Sequence, residues 1–169
     1  MKFIEVTGDL FDTKSYTEES VVFAQCISSD FVMSDCVATK FIEHFDMKEK
    51  LVDWSKVNAI PVFTHSNGGT VKLQTVSRPT LVGKAVKIDT TYNLITKELT
   101  SESCTIESLE KSLKDMKNKM MTNGEHHLAI TDMICSDDSM DRNQVVNVIR
   151  SVFLFSDITV YAVKLKDIL

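Results

Sequence analysis

Acids crowd one stretch near the C-terminus, where Asp132, Asp137, Asp138 and Asp141 stand close together. Such a run repels anions and can attract a divalent cation, but an EF-hand loop needs glycine at its sixth position and glutamate at its twelfth. That spacing is missing, so a solvated acidic loop is the simpler reading. The adjacent His126 and His127 would diverge on a strand, and zinc would still need a third ligand. His44 and His65 stand alone. The four cysteines, Cys26, Cys36, Cys104 and Cys135, show neither CxxC nor Cys/His metal spacing. Cys26 or Cys36 would need a neighbouring histidine to act as a nucleophile, and a small buried hydrophobe is the simpler role. No metal is expected. Walker, GxGxxG and HExxH motifs are all missing. On residue type alone, Lys97 is a strand-end lysine, Asp138 an N-cap ahead of Asp141, and Asp9 the cap of a turn opened by Gly8.

The elements that would position these residues alternate along the chain. Phe3 to Val6 is a short β signal ended by Gly8-Asp9. Val21 to Ile27 is a continuous apolar run of the kind that suits a strand buried on both faces. Val37, Phe41, Ile42 and Phe45 recur at near-helical spacing and predict a helix over 35–45, with Ser34 or Asp35 as N-cap. Residues 47–81 are hardest to read. Ala59 to Thr64 and Val71 to Val76 predict a hairpin around Ser66-Asn67-Gly68-Gly69, and the whole segment is expected as a lid or as added strands. Ala85 to Ile88 and Thr91 to Thr96 are the next strands. A long helix follows Thr105 through Ile106, Leu109, Leu113, Met116 and Met120, and Gly124 stops it. Leu128 to Ile130 is a strand, Arg142 to Phe155 an amphipathic helix, and Ile158 to Val163 the last strand. This alternation predicts an α/β fold with a mixed, partly parallel sheet covered on both sides.

With 169 residues, 43% hydrophobic and 25% charged, the chain fits one folded domain. A net charge of −5 argues against nucleic acid or an anionic membrane as partner, because each would call for a basic stripe. The start Met1-Lys2-Phe3-Ile4-Glu5 meets an acid before an apolar signal region can develop, and no apolar run approaches a membrane span of roughly 20 residues. An intracellular protein, cytoplasmic or nuclear, is expected.

Four short segments, taken in order, are more specific: Gly8-Asp9-Leu10-Phe11, Cys26-Ile27-Ser28, Leu94-Ile95-Thr96-Lys97 and Ile158-Thr159-Val160-Tyr161. Together they resemble macrodomains, closest to the terminal ADP-ribose protein glycohydrolase type, over nearly the whole chain. The resemblance implies a three-layer α/β/α sandwich over residues 1–169, with an atypical insertion near 47–81 and an extended tail over 164–169. It further implies that Asp9, with Leu10, meets the adenine, and that Cys26, Ser28 and Cys135 line the ligand site. Lys97 would be the nucleophile toward the ribose C1″, and Asp138 would move the proton. An amine attacks only when unprotonated, so the pocket would have to lower the lysine pKa from about 10.4. No cofactor is implied.

The same comparison exposes departures. Phosphate loops use glycine for positive φ and for close backbone approach. Here Ser34-Asp35-Cys36 stands where the resemblance calls for Gly-Ala-Gly, and Ile134 and Ser136 replace the glycines flanking Cys135. Asp35 would set a carboxylate near two phosphates, and like charges about 4 Å apart repel by about 4 kcal/mol at an effective dielectric of 20. The expectation is a degenerate pseudo-enzyme that serves as a protein-interaction module. The alternative is an ADP-ribose-binding protein, or a glycohydrolase that removes ADP-ribose from acidic side chains. Its partner would be a protein, an ADP-ribosylated protein or free ADP-ribose. The tail from Lys164 would cover the adenine end of the cleft or pack on the body or on a partner.

Overall fold

The structure is a computed structural model, and it describes residues 1–16, 20–58, 80–131, 134 and 140–166. The elements are β1 (Lys2–Gly8), β2 (Val22–Ser28), α1 (Cys36–Phe45), α2 (Met47–Val57), β3 (Ala85–Ile88), β4 (Thr91–Lys97), α3 (Ile106–Asn123), β5 (His127–Thr131), α4 (Arg142–Phe153) and β6 (Thr159–Leu165). They build one six-stranded sheet in the order β1-β6-β5-β2-β4-β3. Every neighbouring pair is parallel except β3 with β4.

The period-two alternation of strand side chains divides the core into two layers. Val22, Ala24 and Cys26 of β2 face Leu109, Leu113 and Met116 of α3 and Val145 and Ile149 of α4. Phe23 and Ile27, one residue out of phase, face Val37, Ala38 and Phe41 of α1 and Met47 and Leu51 of α2. All seven residues of β2 are buried, as its unbroken apolar run requires. The expected three-layer α/β/α sandwich is therefore the observed architecture.

Local signals set most helix ends. Asp35 caps α1 by accepting from the Ala38 N–H at 2.7 Å. Thr105 caps α3 in a reciprocal capping box with Ser108, and Gly124 at φ 67° ends that helix.

Three expectations need correction. Residues 47–57 form α2, a helix rather than a lid or strands: Met47 and Leu51, four apart, are buried against the sheet, and Trp54 packs beside them. The predicted hairpin over 59–76 lies outside the described residues. Helix α4 stops at Phe153, so Phe155 is 92% exposed rather than helical. The segment from Lys164 does not begin as a tail, because Lys164 and Leu165 continue β6 and pair with Thr7 and Gly8 of β1. Leu165 packs on the body.

Candidate functional site

Strands β2 and β4 are parallel neighbours, yet α1 leaves the end of β2 toward one face of the sheet and α3 leaves β4 toward the other. Such a divergence opens a crevice at the carboxyl ends of the strands, where open α/β sheets bind ligands. A cavity of about 210 Å³ lies there. Its floor is Cys26, Ile27 and Ser28 from β2 with Thr96 and Lys97 from β4, and its walls include Met33, Ser34 and Asp35 ahead of α1 and Thr100 and Cys104 ahead of α3. Ile134, only 2% exposed, reaches it from the segment after β5.

Backbone bonds and buried polar side chains join the two loops. Ser29 N–H donates to the Lys97 carbonyl at 2.9 Å, and the Ser29 hydroxyl donates to Glu98. Asp30, 5% exposed, accepts from the Ser28 hydroxyl and the Val32 N–H on its own loop and from the Thr100 N–H on the other, the last at 2.9 Å. A buried carboxylate is tolerable only when its acceptor positions are filled in this way. Lys97 Nζ donates to the carbonyls of Thr100 at 3.1 Å and Glu102 at 2.8 Å, while the Glu102 carboxylate accepts from the Glu98 and Leu99 N–H groups. The lysine head is thus held by its own loop at the edge of the cavity.

The glycine-poor loop after β2 still turns through left-handed backbone. Phe31 at φ 54° and Met33 at φ 52° take that conformation, and both side chains are buried. Large residues there cost about 1 kcal/mol or more each, which their burial offsets. The carboxylate of Asp35 caps α1, and the residue is among those that line the cavity.

Of the residues singled out from sequence, Cys26, Ser28 and Lys97 come together around this cavity. Asp9 does not join them. It is exposed, its carboxylate accepts from the Phe11 N–H at 3.0 Å as a turn cap does, and with Phe11, Lys40, Glu43 and His44 it lines a separate open depression. Leu10 is 1% exposed and packs in the core, its carbonyl accepting from the Tyr16 hydroxyl. Burial, with the charges of Asp9 and Asp12 nearby, pushes the Tyr16 phenol above its ordinary pKa and keeps it a neutral donor. Asp138 and Cys135 lie outside the described residues. Among the described residues no cluster of three histidines, cysteines or acids could hold a metal, and no helix is long and apolar enough to cross a membrane.

Asp30, Met33, Thr100 and Cys104 line or brace the cavity and were not singled out from sequence. The signal for Asp30 was the abrupt change from the apolar β2 run to Ser28-Ser29-Asp30.

Solved structures share this architecture. The macrodomain of Mycobacterium tuberculosis DarG superposes with a TM-score of 0.71 at 14% identity, covering 95% of this chain and 96% of that one. The macrodomain of Thermus aquaticus DarG gives 0.70 at 13% identity, covering 96% and 97%. The chain has the macrodomain fold. Thermosipho africanus DarTG, solved in complex with ADP-ribose, matches with a TM-score of 0.62 at 14% identity over 88% of this chain and 38% of that one. In sequence, the chain is 28% identical over 158 residues to ADP-ribose glycohydrolase OARD1 of Homo sapiens, covering 92% of this chain and 88% of that protein. Its identity to OARD1 of Bos taurus is 29% over the same length. No family model matches it. The chain thus has the macrodomain fold and is similar in sequence to an ADP-ribose glycohydrolase.

Proposed function

We propose that this macrodomain recognises ADP-ribose carried on an acidic protein side chain, with the terminal ribose in the Lys97 cavity. The observation that carries this reading is the position of Lys97 beside Cys26 and Ser28 at the divergence of β2 and β4. The similarity to a glycohydrolase over 92% of the chain supports it. Sites that bury a drug-sized ligand span about 300 to 1,000 Å³, so a cavity of about 210 Å³ suits the ribose end and leaves the pyrophosphate and adenine along the rim.

In this reading an unprotonated Lys97 Nζ leaves the carbonyls of Thr100 and Glu102 and attacks C1″. A C–N bond forms as the C–O bond to the protein carboxylate breaks, and the carboxylate departs with the electron pair. Asp138 takes up the amine proton and later returns one, and water hydrolyses the adduct to free Lys97 and ADP-ribose. The remaining ligand contacts fall to Cys26, Ser28 and Cys135, with Asp9 left for an adenine that extends beyond the cavity and Leu10 packed in the core. Residues 1–169 act as one domain, working in the cytoplasm or nucleus.

The test is release of ADP-ribose from a protein modified on glutamate. Turnover by the unaltered chain that disappears in Lys97→Ala, with the fold kept, supports the mechanism. Undiminished turnover in that variant sinks it.

A second reading, a pseudo-enzyme that presents surfaces to a protein partner, is favoured by Met33 and Ile134. These two apolar side chains line the cavity beside loops that lack the expected glycines. In that reading neither binding nor release of ADP-ribose is observed.

A further inference from the structure

The carboxylate of Asp30 has no part in the mechanism above, yet it is 5% exposed and carries three hydrogen bonds. Two come from its own loop, through the Ser28 hydroxyl and the Val32 N–H. The third crosses to the β4–α3 loop, where the Thr100 N–H donates to Oδ2 at 2.9 Å. The Thr100 carbonyl, on the same residue, accepts from Lys97 Nζ at 3.1 Å. One short path therefore runs from the Asp30 carboxylate through Thr100 to the lysine amine. The other carbonyl that holds the amine belongs to Glu102, whose side chain closes the same loop on Glu98 and Leu99. Of the two buried side chains that cross to this loop, Ser29 reaches Glu98 and Asp30 reaches Thr100.

We infer that Asp30 is a positioning residue for Lys97: it anchors Thr100, and Thr100 holds the lysine amine at the cavity edge. A hydrogen bond to a charged acceptor is about twice as strong as a neutral one, and the acceptor of this one is buried while its donor sits on an exposed loop. Its loss would leave Thr100 on an exposed loop with no other bond to it from across the cavity among the described residues. The consequence for catalysis rests on the reading of Lys97 as the reacting amine; the consequence for the geometry of Lys97 does not.

Asp30→Asn in the full chain tests it, because the amide is isosteric but cannot accept at both oxygen positions. Two readouts need no substrate. The Thr100 amide exchanges with solvent about tenfold faster in the variant, and Lys97 is acetylated by acetic anhydride several-fold faster relative to Lys114. Ser29→Ala cuts the neighbouring hydroxyl contact to Glu98 but nothing on the path to Lys97, so it leaves both rates within about twofold. If Asp30→Asn leaves Thr100 exchange and Lys97 labelling unchanged, or if Ser29→Ala moves them equally, the inference is overturned. Should Asp30→Asn not fold, exchange in the unaltered chain decides. A Thr100 amide protected at least tenfold supports the anchor, and one exchanging at the rate of an unstructured peptide overturns it. Activity then separates this inference from the functional proposal. Where the unaltered chain releases ADP-ribose, Asp30→Asn lowers kcat about tenfold with KM within twofold. Changed labelling of Lys97 in a chain without turnover keeps the positioning role and discards the hydrolase.

Discussion

The Lys97 cavity and the depression around Asp9 and Phe11 are both hollows of about 200 Å³ lined by polar residues, but they are built in opposite ways. Around Lys97, buried polar groups tie two loops to each other: Asp30 and the Ser29 backbone bond across from the end of β2 to the end of β4 beside the open cavity. Around Asp9, aromatic rings pack on one another. Phe11 stacks on His44 at 4.4 Å and meets Phe23, Phe41 and Phe45 edge-on at 5.0 to 5.4 Å. Buried polar bracing is costly unless every member is satisfied, and it confers fixed geometry rather than net stability. Aromatic packing does the reverse. The first region thus fixes the geometry of the side chains around the cavity, and the second holds the protein together.

Substitutions can break that contrast, beginning with the largest effect. Lys97→Ala should abolish release of ADP-ribose, a loss of at least about a thousandfold, while the melting temperature stays within a few degrees. A comparable loss of stability would mean that the lysine is a structural strut. Phe11→Ala should do the opposite: about 2 to 3 kcal/mol of folding stability lost in urea titrations, with ligand behaviour at the Lys97 cavity unchanged. Asp35→Asn sharpens the contrast from the cavity side. It keeps the N-cap acceptor, so stability moves by less than about 0.5 kcal/mol, and it removes a charge from the cavity wall. Calorimetry should then show ADP-ribose binding about tenfold tighter. The smallest effect is expected at Tyr16→Phe, which removes a donor to the Leu10 carbonyl and should cost about 1 kcal/mol by denaturant titration.

The sheet was largely legible because its signals are local. The apolar run of β2, the caps Asp35 and Thr105 and the stop at Gly124 each announce themselves within a few residues. Helix α2 was missed although Met47, Leu51 and Trp54 carry helical spacing, because its start coincides with the end of α1. Asp46 at φ 53° serves both helices, a tight join without glycine or proline to mark it. The end of β6 was misplaced because strand length there depends on pairing with Thr7 and Gly8, more than 150 residues away. At the site, Cys26, Ser28 and Lys97 could be named from their short motifs. Asp30 could not, since its role appears only when Thr100 is brought opposite it. Met33 conceals its role for another reason: it adopts a backbone conformation that sequence reading reserves for glycine.

The most direct test of the central claim, that the Lys97 cavity receives ADP-ribose, is isothermal titration calorimetry of the unaltered chain with ADP-ribose. The account predicts saturable heat with one-to-one stoichiometry. Flat heats up to millimolar ligand would contradict it and leave the chain as a scaffold for protein partners.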